Sequence, residues 1–264
     1  MDQGYAKVTV TAGAGIVASA TVVDNITNDP TTVAMIPVSS VPGAGSIWIP
    51  AVSHATGGHG AQWRSDVGLL NPGAVPANVQ ELFHGSAGVV GGSVSVPGGG
   101  QLIVRDLVGA LGSSGSGALE IVSDQPLAVT SRTYDQRASG TVGQEYASYT
   151  SASALGTNLS AWLPQLTENA AFRTNISLTN IGAVAATVTV QLFGGAGNPL
   201  GSYEVALAPG EWVQETQPFF GHAQQTAMDR GYARVTVTSG SGIIASASVI
   251  DNVTNDPTTI AMVR

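Results

Sequence analysis

The first 36 residues of this chain return almost unchanged near its end. MDQGYAKVTVTAGAGIVASATVVDNITNDPTTVAMI at 1–36 becomes MDRGYARVTVTSGSGIIASASVIDNVTNDPTTIAMV at 228–263, every difference being conservative except Gln3 against Arg230. A self-match of this length is the signature of a repeat array and constrains everything else, because both copies must suit one architecture. Met1 aligns with the internal Met228, so the chain reads as opening inside a repeat.

A weaker match sets the period. Ile47-Trp48-Ile49-Pro50 corresponds to Ala161-Trp162-Leu163-Pro164, and Trp63-Arg64-Ser65-Asp66 to Phe172-Arg173-Thr174-Asn175. Leu70-Asn71-Pro72-Gly73 corresponds to Thr179-Asn180-Ile181-Gly182, and Leu82-Phe83 to Leu192-Phe193. Gly117 to Val122 answers both Gly231 to Thr236 and Gly4 to Thr9. The expected organisation is therefore the closing strands of an incomplete unit (1–37), a linker (38–46), a whole unit (47–150), a second linker (151–160) and another whole unit (161–264). The linkers are rich in Pro, Gly, Ser and Ala, as flexible connections are.

The pattern inside a unit is β throughout. From Thr174 to Thr179, Ile176 and Leu178 point one way and Asn175 and Ser177 the other; Thr187 to Leu192, Arg234 to Thr238 and Lys7 to Thr11 alternate likewise. Ile243 to Ile250 reads as a strand with small residues packed on at least one face. Ser239 to Gly242, Ala12 to Gly15 and Asp124-Gln125-Pro126 separate strands and read as hairpin turns, the first two with glycine supplying positive φ. Leu207 to Gly210 and Val96 to Gly99 mark another turn, and Arg105 to Leu111 holds the one expected helical turn. Seven or eight short strands in about 110 residues match an all-β, immunoglobulin-like antiparallel sandwich.

Composition narrows the partners. Thirty-four glycines and thirteen prolines suit short strands with many turns. A net charge of −8 with a single lysine, Lys7, offers no basic stripe for nucleic acid and disfavours an anionic membrane surface. The absence of cysteine excludes disulfides, thiolate metal sites and thiol catalysis. No stretch has the length or apolarity of a transmembrane helix, so membrane insertion is not expected.

The block W-R-[ST]-[DN]-x-x-L-x-N-x-G at Trp63 to Gly73 has Phe172 for Trp63 in the next unit and Thr179 for its Leu70, and each block precedes an alternating valine strand. With S-x-V-x-D-N-x-T-N-D-P at 246–257, it resembles the tandem immunoglobulin-like repeats of long bacterial secreted and cell-surface proteins. The resemblance implies stacked sandwiches at an extracellular or cell-surface address. It leaves open whether they act as stalk, adhesin or enzyme appendage.

The best polar clusters are Asp251 to Pro257 and its twin Asp24 to Pro30. Calcium needs several converging oxygens, but Val253 and Ile26 occupy the second ligand position and Arg137 stands in the matching stretch Asp135 to Gly140. An ordinary Asn/Asp/Pro turn is the expectation. His54 and His59 share a glycine-rich loop without further ligands, and Arg64 with Asp66 should contact each other or a neighbouring loop. Trp48, Trp63, Trp162 and Trp212 could form a sugar-stacking platform, but the equivalence of Trp48 and Trp162 points to packing at the start of each sandwich. Asn25, Asn158, Asn175 and Asn252 match the N-glycosylation acceptor pattern, which arises by chance in such a chain. No nucleophile elbow, P-loop, dinucleotide fingerprint or carboxylate pair occurs, so no catalytic, cofactor-binding or metal residue is nominated and no cofactor is expected.

Residues 1–36 should supply three strands of a sandwich and, alone, leave an apolar face and an unpaired edge. They would be completed by strands lying upstream, or in trans by strand addition to a neighbouring molecule, which would build a filament. The expected function is a non-enzymatic extracellular stalk or filament whose partners are other copies of itself. The alternatives are an adhesin or glycan-binding array and a non-catalytic appendage of a secreted hydrolase.

Overall fold

The structure is a computed structural model that describes residues 4–264. It is all-β. In the C-terminal unit, strands β11 (Ser160–Glu168), β12 (Phe172–Asn180), β13 (Ala186–Gly194), β14 (Pro199–Leu207), β15 (Trp212–Thr216), β16 (Met228–Ser239), β17 (Ile243–Asp251) and β18 (Pro257–Ala261) form two four-stranded antiparallel layers. Their orders are β11-β16-β13-β14 and β15-β12-β17-β18.

The middle unit has the same plan, with β3 (Gly45–Thr56), β4 (Gln62–Leu70), β5 (Ala77–Gly85), β6 (Gly88–Val96), β7 (Gln101–Val104), β8 (Gly115–Ser123), β9 (Ala128–Arg137) and β10 (Gly140–Glu145). Its layers run β3-β8-β5-β6 and β7-β4-β9-β10. They are continuous with each other because the end of β3, His54 to Thr56, turns across to pair with Gln62 to Arg64 of β4.

Alternation builds each core. On β13, Ala186, Val188, Val190 and Leu192 are buried while Thr187, Thr189 and Gln191 between them are half-buried. They meet Ile176 and Leu178 of β12 and Ala245 and Ala247 of β17 across the layers. A buried Val or Leu side chain contributes about 1.5–3 kcal/mol, so one layer of such contacts outweighs the loss of any surface pair. Ile49, Val67, Leu69, Val79, Leu119 and Ile121 do the same in the middle unit. The small residues Ala245 to Ser248 are buried without a break, which lets β17 lie close to elements on both of its faces.

A buried asparagine closes one end of each sandwich. Asn180 donates through Nδ2 to the carbonyls of Val184 and Leu207 and accepts the Gly182 N–H at 2.9 Å. Asn71 makes the matching bonds to Val75, Val96 and Gly73. Both are fully buried, so their amides satisfy the polar groups of the turn from inside the protein.

The glycine and proline turns differ from the expectation. Ser239 to Gly242 joins β16 to β17, and Asp124-Gln125-Pro126 joins β8 to β9; in each case the two strands lie in different layers. These are crossovers between layers, not hairpins. The positive φ is used as expected (Gly240 at +72°), but its purpose is to pass the chain against the Ala185 carbonyl, where a Cβ would collide. The helical turn expected at Arg105 to Leu111 is α1 (Leu107–Ala110), and the third unit adds α2 (Pro218–Ala223), which the sequence reading lacked. Strand pairing also shifts one correspondence. His84 sits opposite Ala118 and Phe193 opposite Tyr232, so Phe83 matches Leu192 and His84 matches Phe193, one residue off the sequence match.

The N-terminal segment forms two strands rather than three, β1 (Ser19–Val23) and β2 (Pro30–Ala34). Val235, Val237 and Ile243 are completely buried, while their twins Val8, Val10 and Ile16 are 61%, 47% and 55% exposed. One sequence takes two fates because the strands that cover β16, namely β11 and β13, have no counterpart beside residues 4–17 among the described residues.

Asn180→Ala should destabilise the C-terminal unit by about 2–3 kcal/mol, since it orphans two carbonyls and an N–H at a buried turn. Denaturant unfolding monitored at that unit checks it; a loss below about 0.5 kcal/mol would remove the asparagine from the account.

Candidate functional site at the junctions between units

The closing hairpin of each unit, β1-β2, β9-β10 and β17-β18, has the same register. Val23 opposes Pro30, Tyr134 opposes Gly143, and Ile250 opposes Pro257. β10 lies against both β2 and β18, so the middle hairpin stands between the other two.

The two contacts are equivalent in kind. From the N-terminal segment, Asp24 Oδ2 accepts the Thr141 hydroxyl and N–H at 2.8 and 2.9 Å, and the Thr27 hydroxyl donates to the Thr141 carbonyl at 2.7 Å. From the middle unit, Asp135 Oδ2 accepts from Asn255 Nδ2 at 3.5 Å, and the Arg137 guanidinium donates to the Thr254 carbonyl. By register, Asp135 matches Asp24 and Asn255 matches Thr141. Asp29 adds a buried anchor, taking the Gly143 N–H at 2.8 Å and Arg132 at 3.3 Å, while Arg132 Nε also donates to Thr31 at 2.8 Å.

Strand alternation explains which residues take part. In the N-terminal twin, Asp29 and Thr31 are buried while Asn28 and Pro30 are exposed. In the C-terminal twin the pattern inverts, with Asn255 and Pro257 buried and Asp256 and Thr258 exposed. One face of the hairpin meets the following unit and the other meets the preceding one. In the middle hairpin, Gly143 and Gln144 are both buried.

Beside this polar column lies an apolar contact. Trp48, Ala118 and Ile244 are buried together, with Tyr149, Ile181, Trp212 and Met262 packed around them. The Trp48 ring lies 4.7 Å from that of His84, tilted by 45°; His84 Nε2 meets Glu120 at 3.3 Å, and that hydrogen bond holds the Glu120 carboxyl below its usual range. A Cβ on Gly210 of the third unit would press on the His84 ring, so glycine is required for the approach. The Thr259 hydroxyl donates to Gln144 at 2.8 Å and closes the edge. Tyr146, buried beside Ser248, has its hydroxyl pushed up to about 12 by desolvation.

The acidic turns are held by their own backbone. Asp251 Oδ1 accepts the N–H groups of Val253 and Thr254, and Asp24 Oδ1 those of Ile26 and Thr27. Asn28 and Asn255 occupy left-handed φ at +59° and +53°. The backbone N–H of Ile26, followed by the Thr141 hydroxyl, holds the Asp24 carboxyl well below the ordinary carboxylate range. Asp256 is pushed up instead, first by desolvation and then by the charges of Asp29 and Asp251. Among the described residues no three His, Asp or Glu side chains converge as metal ligands.

Other sequence candidates fall into place around these junctions. His54 Nδ1 lies 2.9 Å from both Asp106 oxygens, and Arg64 Nε is 3.6 Å from Asp106. Asp66 Oδ1 accepts the Asp106 N–H and the Tyr134 hydroxyl. Arg64 and Asp66 therefore both reach the loop after β7. His59 is separate from His54, and its carbonyl accepts Asn255 Nδ2 at 3.2 Å across the junction. Arg173 reaches the turn of its own unit, at Asn252 and Asn255.

The tryptophans divide. Trp48 is 5% exposed in the junction, whereas its equivalent Trp162 is 40% exposed. Trp162 stands beside Tyr232 at 5.7 Å, Tyr232 stacks on Phe193 at 4.9 Å, and the Arg234 guanidinium lies 5.7 Å from the Trp162 ring. An open groove of about 680 Å³ runs past Trp162, Pro164, Gln165, Asp229 and Tyr232. The sequence reading missed Phe193 and Tyr232 as companions of Trp162; the signal was the strand register, which pairs them.

No family model matches the chain, and no curated protein does. Among solved structures, Bacteroides uniformis beta-glucuronidase 2, covalently bound to cyclophellitol-6-carboxylate aziridine, is 9% identical over 83% of this chain with a TM-score of 0.17. A calcium-binding mutant of the same protein is 7% identical over 82% with the same TM-score. The chain spans 26% of the length of each. Likeness at that level carries no argument about fold or function.

Arg132→Ala should free the N-terminal hairpin, because it leaves the buried Asp29 carboxylate without its cation at a cost of about 2 kcal/mol. Proteolysis between residues 4 and 36 should then accelerate at least about tenfold. Acid should act in the same direction. The part of the Asp24 depression that comes from Thr141 contributes docking stability that is complete above the ordinary carboxylate range and is lost as pH falls through the folded value; the larger part, from the Ile26 N–H, tightens the turn itself. Cleavage should therefore rise on acidification towards roughly pH 2. Flat cleavage rates in both tests would show that Asp24 and Asp29 do not hold the segment.

Proposed function

We propose that the chain is a non-enzymatic structural protein, an extracellular or cell-surface stalk or filament of stacked immunoglobulin-like repeats. The observation that carries this reading is the recurrence of one unit–unit contact at two successive boundaries, using equivalent positions of the closing hairpins. A contact repeated head to tail joins two different surfaces, and when its rotation does not close into a ring it extends an array. The residues most resembling sites are committed to this purpose: the Asp24 and Asp251 turns, Arg132 and Trp48 hold units together. The uncovered apolar residues of 4–17 fit completion by a neighbouring sandwich, in the same chain or in another.

The exposed Trp162 with its open groove supports a second reading, a glycan-binding array in which the ring stacks on a sugar. Electron microscopy of the native protein, with a glycan-array screen beside it, separates the two. The structural reading expects extended assemblies with a bead for each sandwich and no glycan retained. Dispersed particles that bind a defined glycan would replace it with the second.

A further inference from the structure

The exposed aromatic face of the third unit is the open half of a junction. In strand register, Trp162, Phe193 and Tyr232 occupy the positions of Trp48, His84 and Ala118. Those three are the residues with which the middle unit covers the third. Tyr5 stands at the same position as Tyr232, and its hydroxyl donates to the Gly99 carbonyl of the middle unit at 2.8 Å. Gly99 in turn matches Gly210, the glycine under His84. The N-terminal twin thus already shows where Tyr232 would land.

Side-chain volumes decide which unit fits. In the junction within the chain, Trp48 and small Ala118 meet large Ile181, Trp212 and Ile244, and His84 meets Gly210. At the positions of Ile181, Trp212 and Ile244, the middle unit carries Pro72, Gln101 and Ala128. Large Trp162, Phe193 and Tyr232 complement that smaller end, and a second third-type unit would crowd them. Charge agrees. Asp29 and Thr31 are held by Arg132 and the Gly143 N–H, and their twins Asp256 and Thr258 are exposed, their side chains accepting no hydrogen bond among the described residues.

We propose that the face formed by Trp162, Phe193, Tyr232, Asp256 and Thr258 binds the middle unit of a second copy of this chain, at the hairpin bearing Arg132, Thr141 and Gly143, in the place held by that copy's own residues 4–36. The N-terminal segment then acts as a built-in cap, and its release exposes the acceptor for head-to-tail growth. This rests on the stacked-repeat reading and adds the partner, the surface and the control.

Sedimentation velocity of the full chain over a wide concentration range tests it. Asp29→Ala weakens the cap and leaves Trp162, Phe193 and Tyr232 unaltered, though it removes a negative charge that acts on Asp256, and should shift the protein from monomer to dimers and longer species. Adding Asp256→Lys, which alters an exposed side chain, or Trp162→Ala, whose lost ring contacts are read separately as a fall in melting temperature, should lower that association at least tenfold. An Asp29→Ala protein that stays monomeric throughout overturns the proposal, while the contact within the chain, tested by imaging, stands apart from that result. Association undiminished in both double variants also overturns it, since bare apolar residues of the freed segment would then be responsible. A sugar that perturbs Trp162 fluorescence while the Asp29→Ala protein remains monomeric would assign the face to a glycan instead.

Discussion

Everything in this chain depends on the contact that the closing hairpin of one unit makes with the hairpin of the next. A β-strand has two faces, and in an outer strand of a sandwich one of them ordinarily faces water. Here both faces of β10 are used, with Gly143 and Gln144 buried between the neighbours on either side. The heptapeptide Asp-Asn-x-Thr-Asn-Asp-Pro serves this end twice over. Its first aspartate tightens the turn through backbone N–H groups, which leaves the remaining polar atoms fixed in direction and ready for the adjoining unit. Pre-organised acceptors of this kind lose little entropy on docking, so a few hydrogen bonds suffice to set the register between units.

The apolar half of the contact supplies the area. Trp48 is buried because a unit follows it, and Trp162 is exposed where no unit follows among the described residues. The same contrast separates Val235 from Val8. In both pairs, position in the array decides burial, and side-chain identity does not. That is the behaviour of repeat proteins, in which each unit relies on its neighbours for part of its core. It also means that exposed aromatic rings in such a chain are ambiguous on inspection alone, since a half-made junction and a sugar platform look alike.

Part of this was legible in the sequence. The self-match pointed to repeated units and alternation at Thr187 to Leu192 to a strand, whereas the packing expected of both Trp48 and Trp162 holds for Trp48 and not for Trp162, which is 40% exposed. Other features were hidden for physical reasons. A glycine with positive φ serves a hairpin or a crossover equally well, so Ser239 to Gly242 could not reveal that β16 and β17 lie in different layers. The one-residue slip between Phe83 and Leu192 is invisible until pairing fixes which side chains share a face. The junction partners of Asp135, such as Asn255, lie more than a hundred residues away, and no local spacing rule reaches that far. The turn chemistry of Asp24 and Asp251 was anticipated, but their use as a connector between units was not.

Differential scanning calorimetry of the wild-type protein and of Trp48→Ala tests the central claim most directly, because a junction that joins two sandwiches into one body must couple their unfolding. The account predicts a single cooperative transition for the two whole units in the wild type, resolving into two when the Trp48 ring is removed. Two independent transitions in the wild type, unmoved by Trp48→Ala, would contradict it and reduce the units to beads on a flexible string.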